Sequence, residues 1–134
     1  MYYKEAILCL MFAVAEADDH LRDDELISIV TMKEIFKGYS EHDIITLYKE
    51  YKSRFADKTF SETAYIMTKQ IPPELYMGVL SILADVILLD FNIDMKEGSF
   101  ISIVANTMGV SDVAVKTLLL ASLSKKLLMN AGKE

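Results

Sequence analysis

The chain of 134 residues has no tryptophan, a single cysteine (Cys9), two prolines (Pro72 and Pro73) and five glycines. One cysteine excludes an intramolecular disulfide framework and fits a reducing compartment, so a cytoplasmic location is expected. So little proline and glycine excludes a collagen-like or linker-rich chain, and 52% apolar residues exclude disorder. Basic residues are outnumbered: Lys plus Arg is 14 and Asp plus Glu is 20, giving a net charge of −6. Phosphate backbones and anionic lipid repel such a chain, so no nucleic acid partner and no basic membrane anchor is expected. Long apolar runs are also missing. The longest, Val79 to Phe91, is broken by Ser81, Asp85 and Asp90 and falls short of the ~20 residues of a membrane span. The run Ala6 to Ala15, followed by Ala15-Glu16-Ala17, imitates a signal peptide. Glu5 in its charged region, and direct passage into an acidic loop that recurs later, favour a structural helix instead.

What is present is helical periodicity. The mean hydropathy of +0.25 is high for a chain with 25% charged residues, so its helices must bury well or meet a partner. The length predicts one domain over residues 1–134. Seven helices are expected: about Tyr2 to Ala17, Arg22 to Lys37, Glu41 to Phe55, a short one capped by Ser61 or Thr59, Glu74 to Leu89, Met95 to Met108, and Asp112 to Asn130. Gly38 and Gly109 supply C-terminal stops. Ser40-Glu41-His42-Asp43 resembles a capping box, and Ser111 is the cap of the last helix. The fifth helix is apolar nearly all round and is expected to be central.

The chain carries a weak internal repeat. At a shift of 72, Val14, Asp18, Glu25 and Ile29 match Val86, Asp90, Glu97 and Ile101. At a shift of 71, Gly38, Ser40, Thr46 and Leu47 match Gly109, Ser111, Thr117 and Leu118. Each copy reads helix, acidic turn, helix, Gly-x-Ser turn, helix. The fold class expected is all-α, a compact bundle of two pseudo-symmetric three-helix units joined by the fourth helix.

Each acidic turn has the form Asp-x-x-(Leu/Ile)-x-x-x-Glu. The first is Asp18-Asp19-His20-Leu21-Arg22-Asp23-Asp24-Glu25, and the second is Asp90-Phe91-Asn92-Ile93-Asp94-Met95-Lys96-Glu97. The spacing matches the second half of a calcium EF-hand loop, but the two earlier ligand positions are Val14 and Glu16 in one copy and Val86 and Leu88 in the other. The EF-hand reading therefore fails. Two readings stand. In one the acids only cap helices: Asp94 and Glu97 form a capping box, and Asp18 and Asp90 fold onto turn amides. In the other the turns offer oxygens to a hard divalent cation, which would relieve the repulsion among five carboxylates within eight residues of the first turn. His20 would shift preference toward a transition metal.

The segments AVAEADDHLRDDEL and ILLDFNIDMKEGSF, each followed by a helix ending in Gly-x-Ser, resemble the tellurite-resistance TerB-like family. The hallmark of that family is an Ala-rich helix followed by Asp-Gly-x-(Ile/Val)-x-x-x-Glu, often twice. The resemblance spans about Ala6 to Leu123 and extends to the membrane-proximal module of some J-domain co-chaperones. It implies a compact all-α fold of about seven helices, a role in tellurite and other stress resistance, and cation binding at the acidic turns. Asp18, Glu25, Asp90 and Glu97 match the motif acids. The hallmark glycine is replaced by Asp19, which tolerates positive φ, and by Phe91, which does not, so the second turn is expected to differ.

Asp85 stands inside the most apolar helix, where an unpaired carboxylate is costly, so it must find a partner or face the acidic turns. Cys9 reads as a buried, inert thiol. No nucleophile elbow, His-Glu-x-x-His, phosphate loop or Cys–His dyad is present in the sequence. The function expected is a non-enzymatic stress-response module. It would bind calcium, magnesium or manganese, with zinc less favoured, through Asp18, Asp19, Glu25, Asp90, Asp94 and Glu97, with Glu16, His20 and Asp85 as secondary ligands. The alternative is a protein-interaction or dimerisation module, with a protein partner or a second copy, whose acidic turns only cap helices. A carboxylate metal-dependent hydrolase is the third reading.

Overall fold

From Ala6 to Ala15 every side chain is apolar, and every one of these residues is buried. A helix apolar on all sides has no face to give to water, so neighbours must surround it. The computed structural model describes residues 3–16, 30, 34–87 and 95–131. Among them are six α-helices: α1 (Tyr3–Glu16), α2 (Glu41–Arg54), α3 (Phe60–Thr68), α4 (Tyr76–Ile87), α5 (Met95–Met108) and α6 (Asp112–Ala131). Short 3-10 turns lie at Glu34–Phe36 and Pro73–Leu75. Among the described residues there is no strand, and no helix is long and apolar enough to cross a membrane.

α1 is the axis, packed against α2, α3, α4 and α5. α4, in the stretch 74–89 expected to be central, packs against α1, α5 and α6 and shares the interior with α1. That segment opens as a 3-10 turn, and α4 keeps an open edge, with Met77 47% exposed and Gly78 exposed. The reason is compositional: Gly78, Ser81 and Asp85 interrupt α4, whereas nothing interrupts Ala6–Ala15. Phe12, fully buried, meets Tyr48 edge-on at 4.8 Å between ring centroids and Tyr51 at 5.9 Å, fixing α2 on α1. The Phe60 and Phe100 rings meet tilted, 4.2 Å between centroids, and tie α3 to α5.

Local sequence sets the boundaries. Ser40 caps α2 reciprocally: its hydroxyl accepts from the Asp43 N–H at 3.0 Å, and its own N–H donates to the Asp43 carboxylate at 2.9 Å. Thr59, rather than Ser61, caps α3 the same way through Glu62. The Ser111 hydroxyl accepts from the Ala114 N–H at the start of α6. α5 ends at Gly109, with φ of +77°, and the Val110 N–H reaches back to the Ala105 carbonyl at 2.8 Å. Of the helix expected at 22–37, Val30 is helical and buried and residues 34–36 form a 3-10 turn leading to Gly38 at φ +97°. The rest lies outside the described residues.

Candidate functional site

Asp18, Asp19, His20, Glu25, Asp90 and Asp94 lie outside the described residues. Glu16 is the last residue of α1, and Glu97 falls in the first turn of α5. The chain thus enters the first acidic segment from the end of α1 and leaves the second at the start of α5. Those two helix ends border one cavity of about 470 Å³. Ala13, in the last turn of α1, and Phe100, in the second turn of α5, both line it, together with Tyr51, Phe55, Phe60 and Thr63. Its rim carries Lys52 and Lys58, both exposed. The Lys52 ammonium sits 4.6 Å from the centre of the Tyr48 ring, a cation–π contact. Among the described residues, no three His, Cys, Asp or Glu side chains gather as a metal-holding group.

Asp85 is placed in full. The Ser122 hydroxyl donates to its carboxylate across the α4–α6 contact, and the Lys125 ammonium lies 3.9 Å from the same oxygen. Lys126 donates to the Asp85 backbone carbonyl at 3.1 Å. That carbonyl belongs to the last turn of α4, where helix carbonyls lack partners and the dipole favours a cation. α6 thus clamps the end of α4, two residues before it closes at Ile87 and the second acidic segment begins. Sequence reasoning missed Ser122 and the two lysines. A signal was available: Ser122 falls on the inward stripe of α6 with buried Val115 and half-buried Leu118 and Leu119. A polar residue on an apolar stripe, opposite a carboxylate in an apolar helix, is a pair waiting to be matched.

Two further groups bear on chemistry. Burial pushes the Cys9 thiol up to about 11, with Arg54 pulling the other way, so it is neither nucleophile nor metal ligand at neutral pH. The Asp43 carboxyl is held below its ordinary value by the Ser40 backbone N–H and hydroxyl. It is spent as a cap.

The described residues define an all-α helical bundle built around a buried apolar helix. The sequence matches the family model for tellurite resistance protein TerB over residues 4–120. The chain belongs to the TerB family. Neither curated proteins nor solved structures gave a match.

Proposed function

We propose that this tellurite-resistance-type helical module binds a hard divalent cation at its two acidic junctions, in a stress response. The observation that carries the reading is the duplicated Asp-x-x-(Leu/Ile)-x-x-x-Glu motif, whose first copy follows Glu16 at the end of α1 and whose second closes on Glu97 in the first turn of α5. Two units related by the repeat support it. Gly38 and Gly109, 71 residues apart, both take positive φ, and Ser40 and Ser111 both cap the helix that follows. Tyr3 and Leu75, and Ile7 and Val79, each 72 apart, line one small cavity between α1 and the start of α4.

The donor set of Asp18, Asp19, Glu25, Asp90, Asp94 and Glu97 is all carboxylate, which suits calcium, magnesium or manganese before zinc. Glu16 and His20 border the first turn. Asp85 serves as the anchor that fixes the end of α4. Binding would relieve carboxylate repulsion and couple the two junctions, and it would stabilise the folded chain by about 2.7 kcal/mol at a hundredfold excess over Kd.

Calorimetric titration with each of the four cations, paired with melting curves, tests this. Heat and a raised Tm with calcium, magnesium or manganese are expected, and Glu25→Gln with Glu97→Gln should abolish both. No heat and no Tm shift at millimolar metal overturns the proposal.

A further inference from the structure

The outer face of α6 repeats every seven residues. Val113, Leu120 and Leu127 are 74%, 64% and 56% exposed. Midway between them come Thr117, Ser124 and Ala131, also exposed. At 3.6 residues per turn these six positions form one straight seam, on the side of the helix opposite Ser122 and its bond to Asp85. No charged residue lies on the seam. The spacing alternates four and three, the pattern of a two-helix coiled coil. The last turn and a half, residues 127–131, is exposed all round and adds Leu128 and Met129.

We propose that this seam is the contact between two copies of the chain, paired antiparallel about a twofold axis level with residue 122. Size complementarity selects the occupant and the direction. In that register Leu120 faces Ser124 of the partner subunit, Leu127 faces Thr117 of the partner subunit, and Val113 faces Ala131 of the partner subunit. Every layer then holds one large and one small side chain, and the helices approach closely without voids. A parallel pair would stack leucine on leucine and serine on serine, leaving a gap at every small layer. Antiparallel helix dipoles also attract. A self-complementary patch repeated on each copy is what a twofold contact requires.

The area sets the strength. A 20-residue helix is about 30 Å long, and a strip about 10 Å wide covers roughly 300 Å² on each copy. A standard stable interface covers about 800 Å² per partner. The dimer is therefore weak and concentration-dependent, and the cation proposal is independent of it.

Sedimentation velocity from about 10 μM to about 1 mM tests the contact, on the full chain without added metal. The apparent mass should climb toward twice the monomer. Leu120→Lys with Leu127→Lys, both exposed and so compatible with the fold, should hold it at the monomer while the circular dichroism is unchanged. In a Cys9→Ala background, a mixture of Leu120→Cys and Ser124→Cys chains should form disulfide-linked dimers faster than either alone. A strict monomer at the highest concentration, leaving the seam to a different protein, overturns the proposal. So does a dimer indifferent to the lysines. Preferential 120–120 or 124–124 linkage overturns the antiparallel register.

Discussion

The Ser122 hydroxyl donates to the Asp85 carboxylate, and this bond joins α6 to the end of α4 at the place where the chain turns into its second acidic segment. Ser122 is 5% exposed and the Asp85 side chain 19%, so water replaces the bond poorly. A hydrogen bond to a charged group contributes about 1.5–3 kcal/mol. Ser122→Ala should cost that much in urea unfolding. Lys125, with its side chain 61% exposed and 3.9 Å from the carboxylate, contributes less: Lys125→Ala should cost under about 1 kcal/mol. Equal costs for the two variants would contradict this ranking.

The Asp43 carboxyl accepts from the Ser40 N–H in the folded chain and loses that bond on unfolding. Its folded value therefore lies below its unfolded one. The stabilisation is complete above the unfolded value, about pH 4, and is lost as the pH falls through the folded value. Asp43→Asn should flatten this acid limb while leaving the slope at neutral pH unchanged. Urea midpoints between about pH 2 and 6 measure it. An acid limb identical in variant and parent would refute the assignment.

How much of this was legible in the sequence differs from element to element. The Ser40 and Ser111 caps and the stops at Gly38 and Gly109 were readable because each depends on a few neighbouring residues. The choice between Ser61 and Thr59 was not, because both have the chemistry and only Thr59 has Glu62 three residues on. Two helices share the interior, α1 and α4. Both apolar helices qualified on composition, and what separated them was the polar interruption at Gly78, Ser81 and Asp85. The partner of Asp85 lies 37 residues away, and the sequence marks it only as a polar position on the apolar stripe of α6. The acidic motif was legible as a pattern, and its two copies fall on the borders of helices that share a cavity.

Cys9 is buried in the central helix, and burial pushes its thiol up to about 11. At pH 8 about one thiol in a thousand is ionised in the folded chain, against roughly a quarter for a free cysteine. Alkylation should accordingly be hundreds of times slower in buffer than in denaturant. The linkage has a definite sign. The folded thiol holds its proton more tightly than the unfolded one, so its contribution is intact below about pH 8.5 and is lost as the pH climbs toward 11. Cys9→Ala should remove that alkaline loss. Rapid native labelling at pH 8 would show the thiol to be accessible and the shift absent.

Gly38 and Gly109 end helical segments with φ of +97° and +77°. A β-carbon added at either meets nothing within 4 Å, so the cost of a side chain is confined to the backbone. An L-residue in the left-handed region costs roughly 1–2 kcal/mol. Gly109 lies nearer the φ of about +57° that non-glycine residues adopt there, so its substitution should be the cheaper of the two. Gly109→Asn should be milder still, because asparagine is the other residue commonly found at this helix-end position. Gly38→Ala should lower stability more than Gly109→Ala, and Gly109→Asn should lower it least, each read from urea midpoints. The reverse order would mean that something other than backbone strain fixes these two junctions, and the shared Gly-x-Ser turn would then have no common physical basis.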